Sequence, residues 1–187
     1  MHCEPKSGLR VNGFLVLTDL PGYENDGYEG VYGIHWPLED LGIDTDRRAL
    51  GLVLAPDTME VATLWSAARQ YYADCLAADL PVRVLMVQTD YDYPVVTAPV
   101  AGDWQLVGYD VAAVLGDFYS ALQQEVLSAT PSSLGAWRSL LNSHGLFDTI
   151  DTASDFLIAR SELLYSNPAI ESCGEMKPVK LHKLRRL

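Results

Sequence analysis

The chain has 187 residues, 49% of them apolar and 20% charged, which fits one globular domain with a real core and argues against disorder. It carries 25 acids against 13 basic residues, a net charge of −12, and this balance disfavours nucleic acid and anionic membrane as partners. Its longest apolar runs, Leu50–Ala55 and Val82–Val87, are too short to span a bilayer, and Met1–Gly13 lacks the apolar core of a secretory signal.

The elements are expected in this order. Met1–Asn12 is read as a mobile N-terminus. Gly13–Asp19, Val31–Trp36 and Ala49–Ala55 read as strands, each apolar and bounded by Gly, Pro or Asp. Pro21–Gly30 between the first two is a polar loop. A helix follows, with Asp57 and Glu60 in a capping-box arrangement and an end near Leu80, before Pro81. Val61, Leu64, Trp65, Ala68, Tyr72, Cys75 and Leu76 recur at three- and four-residue spacing and define its inner face. Val82–Asp90 reads as a central strand, with Tyr93–Ala98 and Trp104–Tyr109 as further strands. The periodicity then turns helical over Asp110–Leu127 (Val111, Val114, Leu115, Phe118, Leu122, Val126), Pro131–Asn142 and Thr152–Leu164, where Thr152 is the expected cap. Lys177–Leu184 reads as a closing edge strand with Val179 and Leu181 inward and Lys180 and His182 outward. Strands first and helices later predict a single α+β domain. A mixed or antiparallel sheet from the N-terminal half and the C-terminal strand would pack with about four helices.

The charge is segregated. Every acid lies between Glu4 and Glu175, so the chain up to that point carries −17. Met176–Leu187 holds Lys177, Lys180, Lys183, Arg185 and Arg186 and no acid. Val11–Asp46 and Val84–Trp137 contain no Lys or Arg but eight and six acids respectively. A field this uneven attracts a basic partner. Aromatic residues are interleaved with the acids in three places: Tyr23, Glu24, Asp26, Tyr28, Glu29 and Tyr32; then Asp90, Tyr91, Asp92 and Tyr93; then Asp103, Trp104, Tyr109 and Asp110. Tyr and Trp anchor interfaces and acids steer cations, so the first five of these residues, all four of the second group, and Asp103 with Trp104 are the expected partner-binding residues.

Catalytic signals are weaker. His35 with Glu39 and Asp40 has the chemistry of an acid–base or metal site, but Pro37 breaks the spacing. Ser143, His144 and Asp148 could suggest a hydrolase. However, Asn142–Gly145 also reads as a helix C-terminus with Gly145 in the left-handed region. Gly27, Gly30 and Gly33 lead into a predicted strand rather than a helix, unlike a dinucleotide loop. Cys3, Cys75 and Cys173 are odd in number and far apart, which gives no disulfide or zinc pattern; Cys75 falls on the apolar helix face. No catalytic residue, metal or cofactor is assigned, and cytoplasmic residence is expected.

Three segments, Trp104–Ala112 (WQLVGYDVA), Leu140–Arg160 (LLNSHGLFDTIDTASDFLIAR) and Val179–Arg186 (VKLHKLRR), resemble small bacterial immunity-type proteins that neutralise a cognate toxin. The resemblance covers less than half of the chain. It implies a small, acidic, cytosolic, stoichiometric inhibitor with no shared catalytic residues to carry over. Two alternatives remain open: a small hydrolase or transferase using His35 or His144 with nearby carboxylates, and a regulatory or structural subunit whose basic tail docks on a sister chain.

Overall fold

The computed structural model describes residues 9–18, 59–60, 65–79, 82–90, 102–114, 117–127, 133–166 and 175–186. Six strands form one sheet: β1 (Arg10–Thr18), β2 (Met59–Glu60), β3 (Val82–Thr89), β4 (Asp103–Val114), β5 (Asp117–Ser120) and β6 (Lys177–Arg186). Their order is β1-β3-β6-β4-β5-β2, and every pairing is antiparallel. Helix α1 (Trp65–Ala77) lies against β1 and β3, and helix α2 (Ile150–Ser166) lies against β4 and β6. The expected α+β class holds, with an antiparallel sheet.

Alternate residues of the strands supply two cores, as the two-residue period of a strand requires. Leu15, Leu17, Leu85, Val87, Val179 and Leu181 join Phe147 and Phe156 in the larger core. Phe14, Val84, Met86 and Leu184 meet Trp65 and Ala68 of α1 in the smaller one.

Two bulges are held by asparagines. Asn12 interrupts the β1–β3 register, and its buried Oδ1 accepts the Thr89 backbone N–H at 2.8 Å and the Thr89 hydroxyl at 2.9 Å. The register of β4 on β6 shifts between Leu106 and Gly108. There the Asn142 amide donates to the Val107 carbonyl at 3.1 Å. Gly108 adopts φ +143°, and a Cβ there would lie 2.7 Å from the Phe147 carbonyl oxygen, so the close approach of that loop requires glycine. Tyr109 and Phe147 then exchange backbone hydrogen bonds of 2.8 and 2.9 Å.

Several expectations are corrected. β1 begins at Arg10, inside the stretch read as a mobile terminus. Glu60 lies in β2 and pairs with Asp117, so it cannot complete a capping box with Asp57. Leu76, expected on the inner face of α1, is exposed, whereas Trp65, Ala68 and Cys75 are buried. The helix expected over Asp110–Leu127 is instead the end of β4, then β5, then a π-helical turn over Leu122–Val126. Val111, Val114, Phe118, Leu122 and Val126 are all buried as the periodicity implied. A strand end covered on both faces (Val111–Val114 is wholly buried) gives an apolar run that spacing alone cannot tell from a helix. Gly135–Leu140 is a short 3-10 helix rather than an α-helix. The cap of α2 is Thr149, whose hydroxyl accepts the Thr152 N–H at 3.2 Å.

The largest correction concerns β6. Val179 and Leu181 are buried as expected, but the strand is not an edge: it pairs with β3 on one side and β4 on the other. Arg186 extends it beyond the expected end at Leu184. The expected strands at Val31–Trp36, Ala49–Ala55 and Tyr93–Ala98 lie outside the described residues.

Candidate protein-binding surface

The expected binding residues separate. Tyr23, Glu24, Asp26, Tyr28 and Glu29 lie outside the described residues, as do Tyr91, Asp92 and Tyr93. Asp90 follows β3 and is exposed, with its carboxylate 3.2 Å from Nζ of Lys177. Asp103 opens β4 and faces solvent.

Trp104 is half-buried and belongs to an aromatic cluster. Its ring lies 5.3 Å from Trp65 and 6.0 Å from Phe14, and Phe14 and Trp65 are 4.8 Å apart. These contacts pack the smaller core. Tyr109 is half-buried against the larger one, and Asp110 is fully buried, its Oδ1 accepting the Val111 N–H at 2.6 Å. The third aromatic–acid group is therefore mostly interior, with Asp103 and part of Trp104 at the surface. A strand places its residues alternately on two faces, so a sequence cluster on a strand cannot all point one way.

The Asn142–Asp148 loop has a structural geometry. Asn142 is its hub: Oδ1 accepts the N–H groups of His144 at 2.8 Å and Leu146 at 3.3 Å, and Nδ2 donates to Asp148 at 3.0 Å. Gly145 takes φ +69° in a turn that returns the chain to Phe147. The left-handed glycine was expected, but it closes this turn rather than a helix. The Asp148 carboxylate faces Asn142, and no hydrogen bond among the described residues joins Ser143, His144 and Asp148 into a relay. His35, Glu39 and Asp40 lie outside the described residues.

Much of the basic charge on the described elements has internal partners. Arg160 is buried on the inner side of α2, with Nε 2.8 and 2.9 Å from the two Glu125 oxygens and Nη2 2.7 Å from Oε1. Lys177 lies between Asp90 and Glu175, and Nε of Arg185 donates to Gln105 at 2.9 Å. The tail that sequence reasoning offered as a docking arm for a sister chain is the middle of the sheet.

Sequence reasoning missed the outer face of α2. Asp151, Asp155, Ile158, Glu162 and Tyr165 recur at three- and four-residue intervals and are all exposed, with Ile158 at 58% and Tyr165 at 93%. At about 100° per residue these five fall within an arc of about 80°, and Arg160 falls directly opposite. The helical period that buries Phe156 and Ala153 also defines this outward stripe, and the helix expected over Thr152–Leu164 already contained most of it.

Comparisons with family models, with curated proteins and with solved structures find no match to this chain.

Proposed function

We propose that this chain works by stoichiometric binding to a basic protein, as an immunity-type inhibitor of a toxin domain. The observation that supports this reading is the placement of charge. The basic C-terminal segment is built into the centre of the sheet, and the buried Arg160 is neutralised by Glu125. Asp103, Asp148, Asp151 and Asp155 face solvent. Arg69, Arg138, Arg185 and Arg186 also face solvent, so the outward excess of acid rests on the net charge of −12. Tight inhibition needs no reactive group; it needs a preorganised surface complementary in shape and potential.

The test is a pull-down from the native host followed by titration of the purified partner. A basic polypeptide should bind one to one, lose its own activity on binding, and associate more slowly as salt rises. A partner that is acidic, or an association rate indifferent to salt, would overturn the proposal.

A further inference from the structure

The geometry points to the outer face of α2 as the surface that takes a cationic amphipathic helix, with Lys or Arg flanking an apolar stripe. This rests on the binding reading above and gives it a location.

The face is long. From Asp151 to Tyr165 it rises about 21 Å, four turns of helix. It is also firmly set. Phe156 and Ala153 on the opposite side are fully buried, Arg160 is clamped by both Glu125 oxygens, and Thr149 caps the first turn. A partner therefore meets a preformed ridge rather than one that must be ordered on binding.

The chemistry of the face selects the partner. Ile158 stands at the middle and Tyr165 at the C-terminal end, both large and open to water. Asp151 and Asp155 precede Ile158, and Glu162 lies between Ile158 and Tyr165. α2 has one basic residue, Arg160, and it points inward. An apolar stripe on a partner helix would cover Ile158 and the Tyr165 ring. Flanking Lys or Arg side chains would lay their stems along the same surface and reach the carboxylates. A second copy of this face is a poor occupant, because it would set carboxylates against carboxylates.

The test uses the full chain, labelled for NMR, with a designed helical peptide carrying Leu at three- and four-residue spacing and Lys on either side, at about 0.15 M salt. Shifts should concentrate on residues 151–165. Asp155→Lys combined with Tyr165→Ala should weaken binding by about tenfold or more with an unchanged thermal melt. A peptide of equal charge without the apolar stripe should bind several-fold more weakly. Shifts confined to other acidic segments, such as residues 23–29 or 90–93, would overturn the location and leave the binding reading intact. No shifts at all would overturn this inference, while the binding reading stands or falls on the pull-down. Peptide binding unaffected by the double variant, or self-association of the chain through this face, would also overturn the inference.

Discussion

Deleting Val179–Leu187 should abolish folding rather than trim a tail. The segment carries Val179 and Leu181, both fully buried, and Leu184, which is 8% exposed. Burial of each such side chain contributes about 1.5–3 kcal/mol, so the apolar loss alone is about 5–9 kcal/mol. The ladder partners Leu85–Gln88 of β3 and Asp103–Asp110 of β4 would also lose their neighbour in the middle of the sheet. Total stabilities of domains are about 5–15 kcal/mol, so little or none remains. Leu181→Ala is the milder probe. A large-to-small change at a fully buried leucine costs about 2.7–5 kcal/mol, or a fall in melting temperature of roughly 5–20 °C for a chain of this length. Arg185→Gln with Arg186→Gln should stay within about 0.5 kcal/mol, since both side chains are exposed. Thermal and urea melts followed by circular dichroism separate the cases. A truncated chain that melts cooperatively near the parent would refute the central position of β6.

Three further predictions concern buried charge and pH. Glu125→Ala strands a guanidinium that is 4% exposed, and should cost about 3–5 kcal/mol in urea melts; replacing the pair together, Glu125→Leu with Arg160→Met, should recover most of that loss. His182 has its pKa lowered by burial and then by the charge of Lys180, so the unfolded chain takes up a proton that the folded chain resists. Stability from this group is complete above pH of about 6.5 and falls as pH drops towards the folded value. His182→Gln should therefore flatten the melting temperature between pH 7 and 5.5, and an unchanged acid slope would refute the assignment. At the other limb, burial and then Asp74 push the Cys75 thiol from 9.0 up to about 11. Stability should decline above pH of about 9, less steeply in Cys75→Ala after allowance for its lower baseline.

The fold class was legible because burial was. Val84–Val87, Val179 and Leu181 alternate or run apolar over lengths that suit strands, and they are strands. The position of β6 was not legible, because strand order depends on long-range pairing that no local pattern records. The lysines suggested an edge, since edge strands carry them to deter association. In this sheet Lys180 and Lys183 are half-buried beside both neighbouring strands, which a long, flexible side chain tolerates by keeping its charged end in water. The Asp110–Leu127 stretch shows the converse limit: Val111, Val114, Phe118, Leu122 and Val126 were named correctly as buried while their backbone was not, and Leu115 lies outside the described residues. The binding surface follows the same logic. Aromatic–acid clusters drew attention to β4, where Asp103 lies at the exposed start of the strand and Asp110 in the end that is covered on both faces. The stripe on α2 used no neighbouring residues at all. Its five members are spread over fifteen positions, and only the helical period gathers them onto one face. For an acidic chain, a search for binding surfaces gains more from the outward face of each predicted helix than from runs of adjacent residues.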